Sequence, residues 1–195
     1  MAHMKWRLVL TGASGGIGQA LAVALAPYCT AMVLVGRNRG VLETLRARLG
    51  PHLVRIVVGD ATQPATLDAV VAAASELGGV NLLINNAGIN DFHAFQSQDP
   101  AALRNLLEVN LLAPMLLTQR LLPQLRNASS AQVINVGSLF GYLATPGLPA
   151  TAPARLACVA SRRRCGASWP IPASKCGTSS RARPARRSMP VRSRR

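Results

Sequence analysis

One short segment, Thr11–Gly18 (TGASGGIG), limits the possible fold of this chain more than any other. It follows a short apolar run, Trp6–Thr11 (WRLVLT), and it opens Ile17–Pro27, a stretch rich in Ala and Leu with helical spacing. A glycine cluster between a strand and a helix is typical of a phosphate-binding turn, because the helix N-terminus offers free N–H groups and the positive end of its dipole. The alternative is a plain glycine-rich turn.

Three glycines of this segment have separate predicted tasks. Gly12 permits the tight turn, Gly16 lets the backbone approach a pyrophosphate, and Gly18 lets the helix pack closely against the strand. The segment therefore predicts a dinucleotide site at the start of the first helix.

Strand and helix patterns alternate through the first 150 residues. We predict strands at Trp6–Thr11, Ala31–Val35, Leu53–Val58, Val80–Asn85 and Ala131–Val136. We predict helices at Ile17–Pro27, Gly40–Leu49, Pro64–Leu77 (capped by Thr62) and Pro100–Gln124. Alternation of this kind implies βαβ units, and near-continuous apolar strands indicate burial on both faces. The predicted fold class is α/β, a Rossmann-type doubly wound parallel sheet.

The basic character of the chain is confined to its last 45 residues. The net charge is +15, but residues 1–150 hold 10 Lys or Arg against 7 Asp or Glu, whereas residues 151–195 hold 12 Lys or Arg and no acid. We find no helix or strand period in 151–195, and its composition predicts disorder. Weak, salt-sensitive nucleic-acid binding by the Arg runs is an alternative, but a solvated tail without specific nucleic-acid recognition is our expectation.

Several motifs of the first 150 residues resemble the short-chain dehydrogenase/reductase family. The TGxxxGxG spacing of the glycine turn, the NNAG sequence at Asn85–Gly88 and INVGS ending at Ser138 occur in the family's order. The resemblance implies that Ser138 is the catalytic serine, that Asn110 holds a catalytic water and that Asp60 contacts adenine. It implies that the cofactor is bound by Thr11, Gly12, Ser14, Gly16, Ile17, Gly18, Arg37, Asp60, Asn86, Ala87 and Gly88.

The end of the second strand bears on cofactor choice. A dinucleotide fold that takes NAD usually places an acid there for the ribose 2′-hydroxyl. This chain has Gly36-Arg37-Asn38-Arg39 instead, and the Arg37 guanidinium can pair with a 2′-phosphate. We therefore predict that NADP(H) is favoured over NAD(H). The alternative is that Arg37 is a solvated surface residue.

The family's proton-transfer pair is missing from the sequence. The resemblance implies a Tyr about thirteen residues after Ser138 and a Lys four residues later, written YxxxK. Tyr142 is too close to Ser138, Pro146 stands four residues after it, and Lys175 is the only Lys after Lys5. In the family the Lys cation lowers the pKa of the Tyr, which titrates near ~10 without help. Without that Lys, proton transfer near neutral pH is impaired. We expect little or no turnover.

We hypothesise that a one-base shift of the reading frame near codon 150 accounts for this loss. The residues from Thr151 onward can be translated back into codons, and those codons can then be read one base earlier. In that frame, compatible codons give a tyrosine thirteen codons after Ser138, a lysine four codons further on, and then an amphipathic pattern. Codon degeneracy leaves a choice at most positions, but Trp169 has a single codon, so its junction with Pro170 must read GCC, alanine. We interpret 1–150 as a truncated NADP-binding domain and 151–195 as an out-of-frame tail.

The predicted function is that of an NAD(P)-dependent oxidoreductase, impaired as written, which transfers hydride between nicotinamide and a small carbonyl compound or secondary alcohol. The alternative is a non-catalytic protein that binds a dinucleotide or, through its tail, nucleic acid. We expect a cytoplasmic protein with no membrane span and no metal site. The family's homo-oligomer is not expected here, because the helix after the fifth strand is missing. Phe92, Phe95 and Leu139 are assigned to the core rather than to a substrate pocket.

Overall fold

The protein is described by a computed structural model that covers residues 5–50, 54–91 and 93–138, without the side chain of Phe95. Phe92, Leu139, Tyr142, Lys175 and the whole segment 151–195 lie outside the described residues. The predictions that concern them, the disordered tail included, therefore stay predictions.

Within the described ranges, five parallel strands form one sheet in the order β3-β2-β1-β4-β5. They are β1 (Trp6–Thr11), β2 (Cys29–Gly36), β3 (Val54–Val58), β4 (Leu82–Asn85) and β5 (Gln132–Asn135). Leu10 of β1 pairs with Leu34 of β2 on one side and with Ile84 of β4 on the other. Strands β2 and β3 are added in sequence on one side of β1, and β4 and β5 are added on its other side. The direction in which strands are added therefore reverses between β1 and β4. Doubly wound sheets bind ligands at this switch point.

The helices that connect these strands in the described part of the chain are α1 (Gly16–Leu25), α2 (Arg39–Leu49), α3 (Pro64–Glu76), α4 (Pro100–Leu107) and α5 (Ala113–Asn127). Short 3-10 segments occupy Ala26–Tyr28 and Phe95–Ser97, and a π turn occupies Glu108–Leu112. None of the helices in the described ranges has both the length and the apolar composition needed to cross a membrane.

The sheet separates two apolar layers. Alternate residues of β1 enter opposite layers, since Val9 belongs to one and Leu8 and Leu10 belong to the other. Ala22 of α1 and Leu42 and Leu45 of α2 pack with Leu8 and Leu10. Leu67 and Val70 of α3 and Leu117, Leu121 and Leu125 of α5 pack with Val9. The expected Rossmann-type α/β fold is therefore confirmed, and burial on both faces holds for the central strands β1, β2 and β4, whereas β5 at the edge of the sheet is only partly buried.

The prediction of a single helix over Pro100–Gln124 is wrong in one respect. The stretch is helical and continues to Asn127, but the π turn at Glu108–Leu112 interrupts it. Pro114 gives the physical reason, because it has no N–H to donate to the carbonyl of Asn110 four residues earlier. The ladder widens there, and the Ala113 N–H donates to the Glu108 carbonyl five residues back.

The predicted cap of α3 is also wrong. Gln63, not Thr62, is the N-cap residue, and its side chain makes no capping hydrogen bond. Thr62 instead donates to the Asp60 carboxylate from both its backbone N–H and its hydroxyl, each at 2.9 Å. The other predicted boundaries match those observed or differ from them by at most two residues within the described ranges, as frayed element ends usually do.

Candidate functional site

The turn between β1 and α1 depends on two glycines. Gly12 has a φ of +66°, and a Cβ there would lie 2.8 Å from the Ala87 Cα. A Cβ on Gly18 would lie 2.1 Å from the Gly12 carbonyl oxygen and 2.8 Å from the Ala13 Cα. Both positions exclude a side chain, the first by backbone conformation and close approach, the second by close packing. The turn therefore has the tight geometry that its sequence predicts.

Thr11 joins this turn to the end of β4. Its Oγ1 accepts hydrogen bonds from the backbone N–H groups of Asn86 and Ala87, both at 3.0 Å. The Asn86 side-chain amide donates in return to the carbonyls of Thr11 and Gly12, at 3.1 and 3.2 Å. Four hydrogen bonds thus fix the NNAG segment against the glycine turn, across the point where the strand order reverses.

The first turn of α1 is open to a ligand. A Cβ built on Gly16 would meet nothing within 4 Å, and neighbouring Ile17 is 64 % exposed. No side chain caps the helix, and its first turn contains no acid. The first N–H groups of an uncapped helix have no intrahelical acceptor and attract an anion. The space over Gly16 and the uncapped donors therefore suit a phosphate group.

The end of β2 adds a cation and a hydroxyl near this turn. Arg37 follows Gly36 directly and is exposed, and it forms no ion pair with any residue in the described ranges. Ser14 lies against the same strand end, since a Cβ on Gly36 would be 2.7 Å from its Oγ. Asn38, by contrast, caps α2 by accepting from the Val41 N–H at 3.1 Å. The Asn38 side-chain oxygen therefore serves as the N-cap of α2.

Asp60 stands beyond the end of β3, beside β2. The preceding Gly59 N–H donates to the Gly36 carbonyl at 3.0 Å, which ties this strand end to that of Arg37. The Asp60 carboxylate is partly buried and accepts from Thr62 through Oδ1. Asp60 and Arg37 thus follow neighbouring strands at the same edge of the sheet.

Asn110 lies at the centre of the π turn and is 5 % exposed. Its Oδ1 accepts from the Ile89 N–H at 2.8 Å, and its Nδ2 donates to the Ile89 carbonyl at 2.9 Å. This two-way clamp satisfies both backbone groups of Ile89, which directly follows the NNAG segment. Sequence reasoning singled out Asn110 but missed the π turn, for which Pro114 was the available signal.

A second amide pair links β4 to β5. Asn85 donates through Nδ2 to the Asn135 Oδ1 at 2.7 Å and to the Thr118 hydroxyl at 3.3 Å. The Asn85 Oδ1 is buried without a partner in the described part of the chain. Ser138 comes three residues after β5 and is partly buried. The strand pairing places the segment that leads to Ser138 beside the one that leads to Ile89.

A polar cluster that sequence reasoning missed occupies the loop from β4 to α4. The Asp91 carboxylate accepts from His93 through one oxygen and from the Gln98 amide, at 3.3 Å, through the other. Gln98 is only 9 % exposed, and its Oε1 has no partner in the described ranges. No spacing rule of sequence connects these three side chains, because the loop and the 3-10 segment bring them together.

The structure therefore groups the selected residues in two sets. Thr11, Gly12, Asn86 and Ala87 are in contact at the glycine turn, beside the open first turn of α1. Asn110 is bound to Ile89 and so lies beside Gly88, and Ser138 follows the adjacent strand. Both sets lie at the carboxyl edge of the parallel sheet, where doubly wound proteins bind their ligands.

Comparisons with known proteins agree with this architecture. The profile of the short chain dehydrogenase family matches residues 7–160. The chain is 36% identical over 138 residues to ketoacyl reductase HetN of a Nostoc species, covering 69% of this chain and 48% of that protein. It is 33% identical over 141 residues to nodulation protein G of a Rhizobium species, covering 72% of this chain and 58% of the relative.

A solved short-chain dehydrogenase from Streptomyces avermitilis superposes with a TM-score of 0.78 at 30% identity, covering 84% of this chain and 60% of that one. The chain thus spans about half to three-fifths of the length of these relatives. Fold, motif order and the match over residues 7–160 lead to one conclusion: this chain belongs to the short chain dehydrogenase family.

Proposed function

We propose that this chain is the cofactor-binding part of an NADP-dependent oxidoreductase that acts on a carbonyl compound or a secondary alcohol. The observation that carries the proposal is the open, uncapped first turn of α1 beside an exposed Arg37. The family to which the chain belongs implies a nicotinamide dinucleotide, which supplies or accepts the hydride when bound. Support for such a group comes from the uncapped donors at the first turn of α1 and from Arg37 and Asp60, which follow neighbouring strands at the same edge of the sheet.

In this proposal the pyrophosphate is held over Gly16 by the first N–H groups of α1, because a helix N-terminus stabilises negative charge. Thr11 and Asn86 line the cofactor site and also fix this turn through their hydrogen bonds to backbone groups. Arg37 and Ser14 bind the 2′-phosphate, and the Asp60 region lies against the adenine. Ala87 and Gly88 form the wall next to the ribose.

Ser138 is proposed to donate a hydrogen bond to the substrate oxygen, and Asn110 to fix the loop after β4 next to it. The sequence offers no Tyr–Lys pair at the family spacing, and loss of a general acid alone typically removes 10²–10⁴-fold of the rate. We therefore propose that this chain binds cofactor but turns over slowly or not at all. Normal reductase turnover by this chain would contradict that proposal. Sequencing the gene tests the cause: the frameshift hypothesis fails if no single-base shift restores YxxxK.

The choice of cofactor is tested with binding measurements on the full chain. We expect NADPH to bind at least about tenfold more tightly than NADH, since a charge-assisted pair to the 2′-phosphate supplies of the order of 1.4 kcal/mol. Arg37→Ala should lower NADPH affinity by about that factor and leave NADH affinity unchanged. Arg39→Ala, two residues along and also exposed, is the matched control. Tighter binding of NADH by the unaltered chain would overturn the NADP assignment.

The relative named a ketoacyl reductase makes a β-ketoacyl thioester one substrate to test. A cytoplasmic enzyme that acts on a small molecule is consistent with this proposal.

A further inference from the structure

The edge strand β5 exposes an apolar residue that ends a continuous row across the sheet. The residues that pair in register along this row are all apolar, namely Ile56, Leu34, Leu10, Ile84 and Ile134. Ile84 is 3 % exposed, whereas Ile134 beside it is 43 % exposed, because β5 pairs only with β4 in the described ranges. The apolar row therefore stops at an open side of the sheet.

The outer backbone groups of β5 form an open edge as well. The N–H groups of Gln132 and Val136 donate inward to carbonyls within residues 81–85, both at 2.8 Å. Because the backbone groups of a strand alternate in direction, Val133 and Asn135 direct their N–H and C=O groups away from β4. These four groups pair with no other strand in the described part of the chain. They are donors and acceptors for an added strand.

The two edges of the sheet differ in charge. At one edge, β3 carries Arg55, whose exposed guanidinium lies 3.7 Å from the Glu76 carboxylate. Charged side chains on an edge strand are a common protection against pairing with another chain. Around β5, by contrast, residues 127–138 (NASSAQVINVGS) contain no Lys, Arg, Asp, Glu or Pro. The β5 edge therefore lacks the protection that the β3 edge has.

A second copy of this chain is the occupant that suits this edge. Two copies of residues 127–138 meet without charge repulsion, since the segment is neutral, and each brings an exposed Ile134 to the other. Segment 151–195 is a poor occupant by composition, because it has 12 Lys or Arg, no acid and no strand period.

We propose that two copies of this chain pair through antiparallel β5 strands about a twofold axis at Ile134. An axis perpendicular to the sheet keeps each face of both sheets on one side, so Ile134 lies opposite the partner's Ile134 and the apolar row continues into the second sheet. Val133 then lies opposite the partner's Asn135, and the two residues exchange two backbone hydrogen bonds on each side of the axis. This inference goes beyond the proposed oxidoreductase function and does not depend on it.

The proposed interface is short and should give a weak dimer. An edge of four residues buries less than about 1,200 Å², the range of transient interfaces, so dimers should appear only above roughly 10 µM chain. Each chain has a net charge of +15, so raising NaCl from about 0.1 to 0.5 M should strengthen association by screening the repulsion between copies. Association through nucleic acid bound to the basic tail would weaken with salt instead.

Sedimentation velocity of the nuclease-treated full chain, between about 10 and 300 µM, measures this dimer. Ile134→Lys should raise the dissociation constant at least about tenfold, because it places a charge in the apolar row. Met115→Lys is the matched control, since Met115 is 49 % exposed on α5 and lies outside β5, and it should leave association unchanged. Ile134→Thr keeps a β-branched side chain and should weaken association less, at an unchanged melting temperature.

A disulfide tests the twofold axis itself. In a full chain with its four cysteines replaced by serine, Ile134→Cys places two thiols opposite each other. The Cα atoms of such a pair are about 4.5 Å apart, which a disulfide can span. Oxidation should give a covalent dimer for Ile134→Cys and not for Met115→Cys.

Three results would overturn the inference. A monomeric chain over the whole concentration range would mean that the β5 edge is covered within one chain. Equal dissociation constants for Ile134→Lys and Met115→Lys would place the contact elsewhere. A covalent dimer of Met115→Cys without one of Ile134→Cys would assign the contact to the helical face.

Discussion

The glycine turn after β1 and the Asn110 clamp on the loop after β4 lie at the same edge of the sheet but are stabilised in different ways. The turn is shaped by the absence of side chains at Gly12 and Gly18, where backbone approaches backbone. The clamp is made by a buried side chain that bonds a distant backbone. The glycine turn leaves no room for an added side chain, whereas the clamp is lost when the Asn110 side-chain amide is removed. Substitutions of opposite kinds should therefore damage the two regions.

The largest effect is expected from Gly18→Ala. The added methyl would lie 2.1 Å from the Gly12 carbonyl oxygen, so the turn and the start of α1 must move apart. Overpacking of a tight site costs about 3 kcal/mol or more when the neighbouring atoms are backbone. We expect a loss of unfolding free energy of this size in urea denaturation, together with loss of NADPH binding.

Gly16→Ala is the matched control for this prediction, because its methyl would meet nothing within 4 Å. This variant should keep or slightly increase the stability of α1, since Ala favours helix. It should still weaken NADPH binding if the phosphate lies over Gly16. Equal stability of the two variants would show that the turn is not held by close packing.

The sequence made the first region predictable because the requirement is local. A strand, three spaced glycines and a helix are visible in Thr11–Gly18, and the φ of Gly12 and the packing of Gly18 follow from them. The alternation of apolar runs also gave the parallel sheet. The π turn was not predicted, because helical periodicity continues through it and only Pro114 indicates the missing hydrogen bond.

A smaller effect is expected from Asn110→Ala. The change leaves both the N–H and the carbonyl of Ile89 without their partner in a partly buried place. Two lost hydrogen bonds to buried groups cost about 2–3 kcal/mol. Urea denaturation should show this loss, while NADPH binding at the glycine turn is largely kept because the Thr11 contacts remain.

Asn105→Ala is the control for this variant, since Asn105 is an exposed residue of α4 and its loss should change stability by less than about 0.5 kcal/mol. A similar result for Asn110→Ala would mean that the clamp contributes nothing and that the loop after β4 is fixed by other contacts. Combination of Asn110→Ala with Gly16→Ala sharpens the comparison, because the changes in unfolding free energy at two independent regions should add.

The partners of the buried amides show why the candidate site was only partly predictable. Asn85, Asn86 and Asn110 could be selected by their positions in motifs. Which backbone or side chain each one binds depends on segments that lie 21 to 75 residues away in the sequence. The Asp91–His93–Gln98 cluster had no sequence signal, because two of its three members are exposed or partly exposed residues of an irregular loop. Contacts of this kind are set by tertiary structure.

The smallest effect is expected at Cys29, the first residue of β2, at the opposite edge of the sheet from both regions. Burial raises the pKa of its thiol from 9.0 to about 11. The folded state thus disfavours the thiolate. The resulting contribution to stability is fully present below pH 9 and is lost as pH rises through about 11.

The stability of a chain carrying Cys158→Ser, Cys165→Ser and Cys176→Ser should therefore fall with pH over this interval more steeply than that of the same chain with Cys29→Ser added. The thiolate absorbance of the folded chain should rise near pH 11. Identical pH profiles for the two chains, or a thiolate signal at pH 9, would mean that the Cys29 thiol is not held away from solvent in the folded chain.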